Sequence, residues 1–126
     1  MRRAIKISAG TVEATAWLNE TLTATKVLEI LPVASAVDIW GDEIYFQIPV
    51  DTVLEDGKET VRLGDIAYWP QGKALCIFLG RTPVSRGDEI RPISPVNVIG
   101  KVEGSSEQFK RLLTVFKQGE KIIISS

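Results

Sequence analysis

Between Gly64 and Gly100 the chain reads GDIAYWPQGKALCIFLGRTPVSRGDEIRPISPVNVIG, and this run leaves few folds open. Ile66–Trp69 and Ala74–Leu79 are strand-length apolar runs on either side of the turn residues Pro70, Gln71 and Gly72. A polar loop, Arg81–Pro95, follows with three prolines, one glycine, the pair Asp88-Glu89 and three arginines; Val96–Ile99 then resumes as a strand. Loops of about 12–15 residues without secondary structure are uncommon, and they serve either as binding loops and lids or as packed surface. The Ala74–Leu79 run is apolar throughout, so its register stays open by one residue. That choice decides whether Cys76, or Leu75 and Ile77, faces a cleft.

The rest of the chain repeats the same grammar. RAIKIS and Thr11–Leu18 flank Ala9-Gly10 as an N-terminal hairpin, with Val12, Ala14 and Ala16 on one face. Trp17, on the other face, is expected under a helix. Val33–Trp40 leads through Gly41-Asp42 to the strand EIYFQIP at 43–49, where Pro49 ends the pairing. Asp51–Arg62 reads as a loop or short hairpin. Two stretches have the helical period instead. Ala24, Val27, Leu28 and Leu31 follow a cap at Asn19 or Thr21 and stop at Pro32; Phe109, Leu112, Leu113 and Phe116 follow Ser105 or Ser106 and close at Gly119. Glu120–Ile124 is a last strand. Eight strands joined by turns, with two helices, predict a mainly β fold: a closed eight-stranded antiparallel barrel in a single domain, residues 1–126.

Fifteen basic against sixteen acidic residues give a net charge of −1, which offers no field to attract nucleic acid or an anionic membrane. No apolar run nears the ~20 residues a spanning helix needs. Met1-Arg2-Arg3 is basic, but AIKISAG after it is no signal-peptide core. Cys76 is the single cysteine, so a reducing cytoplasm is the expected setting. Only two Asn, four Gln, one Cys and one Met hint at a heat-loving source.

The chain has no histidine, which excludes Ser-His-Asp and Cys-His nucleophilic sites and histidine-held metals. Phosphate-cradling glycine motifs are missing too, so neither cofactor nor metal is expected. Cys76 reads as a small buried hydrophobe. Asp42-Glu43 and Asp88-Glu89 are candidate acid–base or cation-binding pairs, though adjacent strand residues point to opposite faces and loop pairs are usually solvated. Among Trp40, Tyr68 and Trp69 some rings must be core, while Trp69-Pro70 at a strand end suits a pocket wall.

Several of these segments resemble cyclophilins. NVIGKVEGSSEQFKRL at 97–112 is similar to the cyclophilin run V-V-F-G-K-V-x-x-G, and EIYFQIP resembles the strand presenting the cyclophilin phenylalanine, with Phe46 at the matching place. GDIAYWPQGKALCIFLGRTP is similar to a small diverged archaeal and bacterial group of cyclophilin-like proteins typified by a Thermotoga protein of unknown function. The resemblance implies a cyclophilin-like barrel. It also implies what is missing for prolyl isomerisation. The place of the catalytic arginine is Gly41, the place of the glutamine is Pro49, and no arginine occurs from Ala4 to Val61. The expectation is a module binding a peptide or small apolar ligand near Phe46, Gln47, Trp69 and Cys76. The alternatives are a weak isomerase or other enzyme using Arg62, Arg81, Arg86 or Arg91, and a structural subunit.

Overall fold

The computed structural model describes residues 2–126; Met1 of the basic start lies outside the described residues. Its strands are β1 Arg3–Ala9, β2 Val12–Leu18, β3 Val33–Ala36, β4 Asp38–Trp40, β5 Glu43–Gln47, β6 Asp65–Trp69, β7 Ala74–Phe78, β8 Asn97–Val102 and β9 Lys121–Ser125, with helices α1 Leu22–Glu29 and α2 Ser106–Val115. All neighbours pair antiparallel in the order β3-β9-β1-β2-β8-β6-β7-β5-β4.

The expected eight strands become nine because the run 33–40 changes partner midway. β3 pairs with β9 and β4 pairs with β5, and Val37 between them bonds to Gly119 and Glu120 instead of to a strand. The two ends of the sheet are therefore consecutive pieces of one segment. The barrel is nearly closed, with a seam at Val37, rather than closed.

Alternation sorts the side chains. Ile5, Ile7, Ala16, Leu18, Ile44, Phe46, Ile66, Tyr68, Leu75, Ile77, Ile99, Ile122 and Ile124 belong to one buried cluster, which also takes in Ala24 and Val27 of α1 and Phe109 and Leu112 of α2. Thr21 caps α1 through its hydroxyl, which accepts from the Ala24 amide. That helix ends at Glu29, short of Leu31, as Ile30 and Leu31 tighten to bonds with residues three back. Ser105 caps α2 in a reciprocal box with Gln108. α2 ends at Val115, and Gly119 (φ +85°) belongs to the turn into β9 rather than to the helix end. Trp17 is not under a helix: it lies on the outer face of β2 with the Arg2 guanidinium 4.2 Å from its ring centre. Among the described residues no helix is long and apolar enough to cross a membrane.

A second, smaller cluster lies outside the barrel. Ala67, Cys76 and Phe78 point away from the interior and are covered by Ile90 and Val96, with Tyr45, Val61 and Trp69 at its margin. The cover is the loop 81–95 and Val96 just after it. Its inner turn is tied together by Thr82, whose amide donates to the Ser85 hydroxyl at 3.0 Å and whose hydroxyl donates to the Arg91 carbonyl. Isolated bridges Val61–Ile90 and Lys58–Val96 pin it to the irregular stretch 51–62.

Gly100 in β8 pairs with both Leu18 and Ile66, and a Cβ there would lie 2.0 Å from the Trp17 carbonyl oxygen. Backbone cannot retreat as a side chain can. Gly100→Ala should therefore cost about 2 kcal/mol or more of stability, read as a lower urea midpoint; an unchanged midpoint would contradict this close packing.

Candidate functional site

The sorting that fills the barrel also decides what its outer wall offers. Along β5, Ile44 and Phe46 point in, so Glu43, Tyr45 and Gln47 point out. β7 pairs Glu43 with Phe78, Tyr45 with Cys76 and Gln47 with Ala74, while β4 places Trp40 opposite Glu43. Trp69, the last residue of β6, faces the same way. Its ring meets Tyr45 edge to face, centroids 6.5 Å apart and planes at 88°. The Trp69 indole N–H donates to the Ser94 hydroxyl at 2.7 Å, which ties the wall to the loop.

These residues enclose a hollow of about 190 Å³ lined by Trp40, Glu43, Tyr45, Trp69 and Ile93. Ile93 stands 57% exposed at its rim. A second hollow of about 370 Å³ shares Tyr45 and Trp69 and continues to Asp38, Gln47 and Gly72. A larger groove, about 400 Å³, lies between β2 and α2, but its polar lining (Glu13, Glu103, Gln108, Arg111) is exposed and solvated.

Glu43 sets the first hollow apart. It is only 5% exposed. Burial pushes its carboxyl up from 4.5 to about 7, opposed in part by a hydrogen bond from the Cys76 thiol. Burial likewise drives the Cys76 thiol well above its usual range, and the neighbouring Glu43 charge drives it further. The thiol therefore stays protonated and acts as a donor, not a nucleophile. Tyr45 is raised by desolvation first, then by the charges of Asp38, Glu43 and Cys76. No lysine or arginine forms an ion pair with Glu43 among the described residues.

Of the residues singled out in the sequence, Gln47 and Trp69 line this face together. Phe46 borders the second hollow with them, but its ring is 1% exposed in the barrel interior, because the pleat that aims Tyr45 and Gln47 outward aims Phe46 inward. Cys76 faces outward but is sealed, with Leu75 and Ile77 inside, which resolves the open register of Ala74–Leu79. Tyr68 is core, its hydroxyl donating to the Val50 carbonyl. The loop arginines are engaged locally: Arg91 pairs with Glu89 at 2.6 Å and Arg81 donates to the Ser85 carbonyl at 3.1 Å. Glu43 and Tyr45 were legible only through the alternation of EIYFQIP, which puts them on one face with Gln47. Ile93, from a distant loop, had no local signal.

The chain is similar to known proteins in both sequence and fold. A family model described as cyclophilin-like matches residues 3–125. The solution structure of the hypothetical protein AF2241 from Archaeoglobus fulgidus is similar at 38% identity over 98% of this chain and 94% of that one, with a TM-score of 0.78. McbB, solved in complex with tryptophan, shares the fold at 16% identity and a TM-score of 0.67; 96% of this chain aligns, spanning 44% of McbB. No curated protein sequence matches.

An acid held at about 7 in the folded state, against 4.5 when exposed, binds protons more tightly folded than unfolded. Its contribution is favourable below pH 4.5, is lost as pH rises toward 7, and levels off above that. The loss is on the order of 3 kcal/mol at most. Glu43→Gln should remove that decline, so urea midpoints of variant and parent should diverge in the variant's favour between pH 5 and about 8. Parallel pH profiles would show Glu43 to be solvated.

Proposed function

The chain belongs to the cyclophilin-like family, and on that premise we propose that it is a binding module rather than an efficient prolyl isomerase. Its ligand is a peptide segment or small apolar molecule held in the outer cleft of Trp40, Tyr45 and Trp69. One observation carries this reading: an acid side chain is kept from water beside an open, aromatic-walled hollow. Burying an acid without a countercharge is costly, and such groups concentrate where ligands bind. McbB, a distant protein of the same fold, was solved holding an aromatic small molecule, tryptophan.

Isomerisation requires a preorganised donor against the prolyl amide, whose rotation barrier is ~18–20 kcal/mol. The position that resemblance assigns to that donor is Gly41. Here φ is +62°, and a Cβ would lie 2.8 Å from the Arg81 carbonyl oxygen and 2.9 Å from Pro83 Cδ. The loop thus occupies the space a side chain at 41 would need. Of the loop arginines, Arg81 and Arg91 are held by Ser85 and Glu89.

Two measurements test the reading. In a proline-switch assay on an X–Pro peptide the purified protein should leave the rate at its buffer value. A rate above buffer that falls with Arg81→Ala or Arg91→Ala would establish the enzyme instead. In a fragment screen followed by the indole N–H signals of Trp40 and Trp69, binders should shift both. Trp69→Ala should weaken those binders about tenfold, as truncating an aromatic anchor does.

A further inference from the structure

From the surroundings of Glu43 we infer that the ligand of this cleft is a cation: a small protonated amine whose ammonium sits against the Glu43 carboxylate and whose apolar body lies on Tyr45 and Trp69. The inference rests on the binding reading above and specifies the ligand's charge.

Glu43 is nine-tenths buried and lines the hollow directly. Its hydrogen-bond partner is the Cys76 thiol, a weak donor that leaves most of the carboxylate's accepting capacity unfilled. The other titratable groups felt in this corner are Asp38, the Tyr45 hydroxyl and that thiol, and none of them is a cation. An anionic ligand would meet two acids, and a neutral apolar one would leave the carboxyl desolvated with nothing gained. A cation supplies the missing charge.

The rings point the same way. Tyr45 and Trp69 stand at 88° to each other and Trp40 is paired across from Glu43, so the acid is bordered by aromatic surface. The negative faces of such rings attract ammonium groups, more strongly where water is excluded. The hollow's 190 Å³ suits a small amine, and exposed Ile93 at the rim is placed to cover its apolar end.

Binding a cation favours the ionised acid, so the ligand should displace the proton that Glu43 holds near neutral pH. The test uses phenethylamine and 2-phenylethanol, which share a shape and differ in charge, titrated into the full chain while the Trp40 and Trp69 indole signals are followed. At about pH 8 the amine should bind about tenfold or more tightly than the alcohol, as a desolvated charge pair requires. At about pH 6, with Glu43 mostly protonated, that advantage should shrink severalfold. Glu43→Gln should abolish it at both values; the pH comparison on the unaltered protein decides the matter even if that variant does not fold. Equal affinity for amine and alcohol, with both indoles shifting, would overturn the charge inference and leave the cleft intact. Preference for 3-phenylpropionate over the amine would also overturn it. Binding of none of the three at millimolar concentration would overturn both the charge and the cleft.

Discussion

The register of β5 against β7 is the constraint on which the other features hang. With Ile44 opposite Ile77 and Phe46 opposite Leu75, four large side chains enter the barrel; with Glu43 opposite Phe78 and Tyr45 opposite Cys76, an acid, a thiol and two rings are left outside. A slip of one residue would exchange the two sets and put Glu43 in the interior. The interior thus enforces the site: burying the isoleucines on one face fixes the acid and Tyr45 on the other. The outer face is then too apolar to stand in water, and the loop 81–95 covers part of it.

That loop has two consequences. By laying Ile90 over Ala67, Cys76 and Phe78, together with Val96 just beyond it, it makes the corner around Glu43 dry enough to hold a proton near neutrality. By running past Gly41 and bonding to the Asp42 amide through the Arg81 carbonyl at 2.9 Å, it fills the space that a side chain at position 41 would need. One loop thus borders both Gly41 and the desolvated acid. The loop's polar residues bond to one another: Thr82, Ser85, Glu89 and Arg91 satisfy themselves within it, leaving Ile93 and Ser94 at the cleft.

How much of this the sequence carries depends on distance along the chain. Hairpins and helices were legible because their signals are local: Gly10 at the turn, Thr21 and Ser105 at the caps, the i, i+3, i+4 spacing of Phe109, Leu112 and Leu113. The split of residues 33–40 was not, since Val37 changes partner only because β9 and β5 arrive on opposite sides of it. In the site, Trp69 and Gln47 were legible as outward residues. The inward turn of the Phe46 ring was not legible, because likeness to a family points to a position, whereas the pleat determines a face. Glu43 stood in plain view beside Asp42 as an ordinary solvated pair. What sets it apart is the hollow it lines with Trp40, Trp69 and Ile93, which come from three separate segments.

The cleft stands or falls with Glu43 as a desolvated acid among aromatic rings. The most direct measurement is a carbon-13 NMR titration of the Glu43 side-chain carboxyl in the free protein, assigned through Glu43→Gln. The midpoint should lie near 7, with the Trp69 indole signal shifting over the same range. A midpoint near the ordinary 4.5 would mean that water reaches the carboxylate, and the cleft as described would not exist.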